Sequence, residues 1–271
     1  MTYAVITDSA ATLSAETALR WGIGVVPLGL TIDGIGTSDT EVDVAGFYRA
    51  LARGAVLTSS QPAPGALAAA YRRAAQAGAE GVWSLHLGSA LSSTVEVARL
   101  VAAAAPIPVK VVDTGTASMA EGLCVLAAAG ALRRDRDTDV DAVVAAEAAA
   151  QANVFVSLAP DRIVAGGRGM AVAESFDVLS LAAGGRVQVA GHAESREQAV
   201  EMMASMLEGL DGRLVAVGDG GLAELGDALL RCCRGLAPGR TYLRYSVAPS
   251  IAVHTGPTVG YVVSSLHPAD L

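Results

Sequence analysis

Apolar runs of four to six residues recur along the first half of the chain, each followed by a polar turn and then a stretch with helical spacing. Tyr3–Thr7 predicts a strand, Asp8-Ser9 a turn and Ser14–Trp21 a helix. Ile23–Thr31 predicts one extended stretch running through Pro27, and Phe47–Arg53 a short helix. Ser59-Ser60-Gln61-Pro62 leads into a helix from about Pro64 to Ala77, with its prolines where a first turn tolerates them. Val82–Leu87 and Val109–Val112 predict strands, and Thr94–Ala105, Ser118–Leu132 and a segment opened by Thr138-Asp139-Val140-Asp141 and running to about Gln151 predict helices. Strands alternating with helices imply an α/β fold with a largely parallel or mixed sheet.

After Asn153 the pattern changes. Val154–Leu158, Asp177–Leu181, Arg186–Ala190, Leu214–Val217, Thr241–Val247 and Thr258–Val263 predict strands. Only two helical stretches, Ser195–Leu207 and Leu222–Arg231, separate them, and Gly166-Gly167-Arg168 predicts a loop. The expected organisation is two α/β domains, 1–153 and 154–271.

The composition fits a chain that folds without staples. It has 271 residues, 52% hydrophobic and 17% charged. Aromatics reach only 4%, so the core has to be aliphatic. A net charge of −8 without any basic block argues against a nucleic-acid backbone or an anionic membrane surface as the main partner. Three cysteines, Cys124 and the adjacent Cys232-Cys233, fit reduced thiols, and the four histidines show no zinc-ligand spacing. The N-terminus carries no basic leader, and the longest apolar segment, Leu123–Leu132, stops at Arg133-Arg134. A cytoplasmic location is therefore expected.

Candidate chemistry lies at the strand ends, where α/β sheets bind ligands. Asp8-Ser9, Ser59-Ser60, Ser89 with Ser92-Ser93, and Asp113-Thr114 place short polar side chains there. Hydroxyls beside helix N-termini suit one small anionic group such as a carboxylate. The same serines also suit mere helix capping, since Ser93-x-x-Glu96 and Ser118-x-x-Glu121 match the capping box. Gly218-Asp219-Gly220-Gly221-Leu222-Ala223 is a loose GxGxxA turn, read either as a phosphate loop or as a tight strand-to-helix connection. Arg168 is either an anion contact or a surface residue. No GxSxG elbow surrounds any serine, yet a small-molecule serine hydrolase using Ser92 or Ser60 with His254 stays open as an alternative.

Taken in order, several of these segments resemble the DegV family of bacterial lipid-binding proteins. Ile6-Thr7-Asp8-Ser9 is similar to the family's TDS, Ser59-Ser60-Gln61-Pro62 to its TSQP, and Leu91-Ser92-Ser93-Thr94 to its LSGT. Asp113-Thr114 with Gly122, Gly166-Gly167-Arg168 and His254-Thr255-Gly256-Pro257 resemble the remaining segments, so the likeness spans essentially the whole chain. Thr258 stands where the family usually has glycine, and Glu194 falls where members commonly carry a basic run. The resemblance implies two α/β domains with a long-chain fatty acid between them. It sets the carboxylate against Ser59, Ser60, Ser92 and His254, and makes Arg168 of the GGR segment a further candidate ligand contact. It also implies an acyl-carrying role without metal, cofactor or covalent chemistry of its own. The partner would be a separate ATP-binding fatty acid kinase, whose acyl phosphate feeds phospholipid synthesis.

Overall fold

The computed structural model describes residues 2–165, 176–182 and 185–267. Its first-half strands are β1 (Tyr3–Asp8), β2 (Ile23–Val26), β3 (Gly29–Ile32), β4 (Ile35–Ser38), β5 (Leu57–Ser60), β6 (Gly81–His86) and β7 (Val109–Asp113). The second half supplies β8 (Ala152–Ser157), β9 (Val178–Ala182), β10 (Arg186–Gly191), β11 (Leu214–Gly220), β12 (Thr241–Ser246) and β13 (Thr258–Ser264). They form a four-stranded sheet, β2-β1-β6-β7, a six-stranded sheet, β10-β9-β8-β13-β11-β12, and a three-stranded sheet, β4-β3-β5. The first sheet is all parallel, and its inner strand β6 is buried along its whole length, as a strand covered on both faces requires. The second sheet is mixed, with only the β11–β12 pair parallel among the described strands.

The extended stretch expected over Ile23–Thr31 is two strands belonging to different sheets. Pro27 has no N–H to give to a ladder, and at Leu28 the amide bonds instead to the Ser9 hydroxyl at 2.9 Å. The chain then turns into a small antiparallel sheet. Its β3–β4 hairpin turns on Asp33-Gly34, both with positive φ (50° and 84°), the geometry of a two-residue type I′ turn. The helix expected at Phe47–Arg53 begins earlier, at Val44, because the Asp43 carboxylate caps it by accepting from the Ala45 amide. A helix at Pro249–Thr255 has no counterpart in the sequence reading.

One helix organises the centre. In Met119–Arg134 every residue from Met119 to Ala131 is buried. Residues from the four-stranded sheet (Val5, Trp83, Leu85) and the six-stranded sheet (Leu214, Ala216, Val262) share a core with it. Small side chains permit this approach, and a Cβ on Gly122 would stand 2.4 Å from the Ala11 carbonyl oxygen. Glu121 sits on this helix with no exposed surface, its Oε1 accepting from the Thr7 hydroxyl at 3.2 Å. Burial, reinforced by the Asp8 carboxylate, holds its acid well above the usual carboxylate range.

That raised acid has a stability consequence. Below the ordinary glutamate value of 4.5 both folded and unfolded chains carry a protonated Glu121. Above it the unfolded chain ionises first, so stability falls as pH rises towards the folded-state value. Glu121→Gln removes this proton linkage. Denaturant titrations from pH 4 to pH 8 should show wild-type stability declining relative to Glu121→Gln as pH rises, and parallel curves would contradict the assignment.

Candidate functional site

A cavity of about 320 Å³ is lined by residues from both halves of the chain, at the low end of the roughly 300–1,000 Å³ typical of small-molecule sites. Ser59, Ser60 and Gln61 reach it from the end of β5, Leu91, Ser92 and Ser93 from the turn before the helix Thr94–Ala102, and His254 and Thr255 from the end of Pro249–Thr255. Phe155, Ile163, Leu181 and Val187 belong to one apolar cluster and form a greasy wall. The described lining residues include no Lys, Arg, Asp or Glu.

Residues 195 positions apart in the chain meet here. His254 Nε2 lies 2.7 Å from Ser59 Oγ, both side chains part-buried. On the β5 side, the β3–β5 register sets Ser60 opposite Gly29, where a Cβ would stand 2.3 Å from Ser60 Oγ. On the His254 side, the helix end is fixed by its own carbonyls. The Ser157 hydroxyl donates to the Thr255 carbonyl, and Arg162 Nη1 donates to that of Val253 at 3.3 Å. Gly256 follows at φ 66°, packed on Ala159, where a Cβ would fall 2.6 Å from the Ala159 methyl. Ser59, Ser60, Ser92 and His254 thus border a single cavity, whereas Arg168 and the rest of Gly166-Gly167-Arg168 lie outside the described residues. The serine against His254 Nε2 is Ser59, not the Ser92 or Ser60 of the hydrolase reading.

Neither sequence capping box forms. Ser93 and Ser118 precede their helices without a side-chain capping bond, and both line the cavity. Ser118 has φ 60° and ψ −147°, not the extended backbone of an N-cap. Tyr245 is half-buried, and desolvation pushes its phenol up to about 12, so it lines the cavity as a neutral group. Ser92 differs: its Oγ accepts from the Thr94 amide at 3.3 Å and lies 2.9 Å from Thr94 Oγ1, so it both opens a helix and borders the cavity. Ser118, Tyr245 and Ser250 are not among the sequence-predicted head-group residues: Ser118 matches a capping box and Tyr245 falls inside a predicted strand.

The expected set of four strand ends in one crevice needs correcting. β5 belongs to the small antiparallel sheet rather than to the parallel one. Asp113 turns back into its own loop and accepts from the amides of Ser89 (3.1 Å) and Gly115 (2.9 Å). Asp8 turns inward: its Oδ2 lies 2.9 Å from His86 Nδ1, His86 Nε2 lies 2.8 Å from Ser84 Oγ, and Ser84 Oγ 3.0 Å from the Tyr71 hydroxyl. The first two distances reproduce a Ser–His–Asp arrangement, but all four residues have 0% exposure, so no substrate reaches them. The GxGxxA turn proves to be packing. A Cβ on Gly218 would meet the Tyr245 ring at 2.2 Å, and one on Gly221 the Tyr48 ring at 2.6 Å. Asp219 is held by Arg244 Nη2 at 2.9 Å.

A family model described as "Uncharacterised protein, DegV family" matches residues 2–266. A DegV domain-containing protein of Streptomyces coelicolor is 36% identical over 97% of this chain and 98% of its own. Among solved structures, one described as fatty acid binding of a DegV family protein from Thermus thermophilus superposes with a TM-score of 0.84 at 30% identity, covering 98% of this chain and 100% of that one. A DegV fatty acid binding protein from Bacillus subtilis shares the fold at a TM-score of 0.86 and 20% identity, covering 97% and 99%.

Proposed function

Starting from the premise that this chain belongs to the DegV family, we propose that it carries a long-chain fatty acid in the cavity between its two α/β domains. The observation that carries this reading is the cavity itself: an aliphatic and aromatic wall without Lys or Arg among its described lining, beside hydroxyls gathered around one part-buried histidine. The 30%-identical Thermus thermophilus protein, described as fatty acid binding, supports the same cargo.

The energetics divide between chain and head group. About 14 methylenes at roughly 0.8 kcal/mol each give a gross gain near 11 kcal/mol before ordering costs. Ser59, Ser60 and Ser92 donate O–H groups to the carboxylate, and His254 orients the Ser59 hydroxyl or bonds the carboxylate itself. Hydrogen bonds to a charged acceptor contribute about 1.5–3 kcal/mol each, enough to select an acid over an uncharged lipid. In this reading the chain makes and breaks no covalent bond. It presents the carboxylate to a separate ATP-binding kinase for acyl phosphate formation, in the cytoplasm. The exposed segment around Glu194 is the place where family members commonly present a basic run. The domain division proposed is 1–153 and 154–271, so that the cavity needs both.

Three outcomes are expected. Protein from a bacterial host should yield a C14–C18 acid on solvent extraction and should neither cleave esters nor form acyl phosphate from ATP alone. Ester turnover that disappears in His254→Ala would replace the carrier with the hydrolase. Ser92→Ala and His254→Ala should each weaken a C16 acid by roughly 10- to 150-fold, less than additively together, and affect the C16 alcohol far less. Equal losses for acid and alcohol would remove the head-group assignment. Neither 1–153 nor 154–271 alone should bind the acid, and tight binding by either half would mean the cavity has been misplaced.

A further inference from the structure

The short helix that carries His254 is anchored at its other end by a buried carboxylate that does not line the cavity. Asp39, 6% exposed, follows β4 on the rim of the small sheet. Its Oδ1 accepts from the Ser250 amide at 3.0 Å, and its Oδ2 accepts from the Ser250 hydroxyl at 2.6 Å and the Ser9 hydroxyl at 2.9 Å. The Ser9 hydroxyl in turn accepts from the Leu28 amide at 2.9 Å, and the Asp39 amide donates to the Leu28 carbonyl at 2.9 Å. One side chain therefore ties together the end of β1, the crossing from β2 to β3, and the first turn of a helix more than two hundred residues away. These donors are all neutral, so the ties are directional hydrogen bonds to one charged acceptor rather than a diffuse ion pair.

The geometry passes from Asp39 to His254 through the helix Pro249–Thr255. Ser250 and His254 are four residues apart, hence on one face and about 6 Å apart along the axis, and both border the cavity. The far end of the helix is held by Ser157 and Arg162, the near end by Asp39. Asp39 also reaches the other side of the cavity through Leu28, which lines it. We propose that Asp39 is a positioning residue for the head-group site: it fixes the start of Pro249–Thr255 against β1 and so sets where His254 meets Ser59. The role rests on the carrier reading, because its effect is a preference for acid over alcohol.

The test titrates hexadecanoic acid and hexadecanol against wild type, Asp39→Ala, His254→Ala and the double variant, with thermal unfolding of each. Asp39→Ala should weaken the acid about tenfold and the alcohol by less than threefold. In the His254→Ala background the same substitution should have no further effect on the acid, since the group it positions is gone. Asp39→Asn, whose carbonyl oxygen still accepts from Ser250, should restore most of the preference. Should Asp39→Ala fail to fold, Asp39→Asn and Ser9→Ala carry the measurement. Ser9 does not line the cavity, and Ser9→Ala should lower the acid-to-alcohol ratio about threefold. Equal weakening of acid and alcohol, an unchanged ratio, or additive losses in the double variant would each overturn the positioning role. A wild-type protein that binds neither lipid would take down the carrier reading and this role together. A wild-type preference for acid that survives in Asp39→Ala and Ser9→Ala would take down this role alone.

Discussion

The helix Met119–Arg134 has to be small-sided nearly all the way round, because residues of two sheets pack against it at once. That requirement explains its run of alanines and glycines and the absence of a polar stripe, which a surface helix would show. It also fixes the two sheets in one relation, since a close-packed interior resists small displacements. A 2.7 Å contact between Ser59 and His254, 195 residues apart, requires such a frame. The cost falls on Glu121, an acid held without exposed surface inside the same helix and stabilised by little more than the Thr7 hydroxyl.

Two buried core carboxylates find partners inside the protein: Asp8 takes His86 and two amides, and Glu147 takes Gln151 and the Ser264 hydroxyl. Around the cavity, Ser93 and Ser118 stand before helices they do not cap with their side chains. For a chain of net charge −8, neutral donors are a workable way to hold one carboxylate. They satisfy its oxygens without themselves requiring a buried countercharge, whose desolvation would offset much of the gain.

Much of this was legible in the sequence. The parallel strands of the first sheet and the helices between them announce themselves through apolar runs of the right length. What the sequence reading missed depends on contacts distant in the chain. The break at Pro27-Leu28 is decided by the Ser9 hydroxyl, and the loose GxGxxA turn by the Tyr245 and Tyr48 rings, which need the space a Cβ would fill. The helix Pro249–Thr255 is too short to show a period, and part of its support comes from Asp39, Ser157 and Arg162. Local spacing correctly marked Ser93 and Ser118 as lying next to helix starts, but tertiary structure withdrew both from capping.

Two serine–histidine contacts in this molecule show why residue types alone do not define a site. Ser84 and His86, backed by Asp8, have the distances of a catalytic triad yet no exposed surface, so their polar atoms serve one another, the Tyr71 hydroxyl and two backbone amides. Ser59 and His254 lie at nearly the same separation, but beside open volume and an apolar wall. A buried hydrogen bond is already satisfied and offers nothing to an incoming ligand, whereas one at a cavity edge can exchange or share its donor. Access, not the identity of the pair, separates the structural contact from the one able to meet a head group. Access in turn is set by where two sheets, one shared helix and one short terminal helix leave a gap.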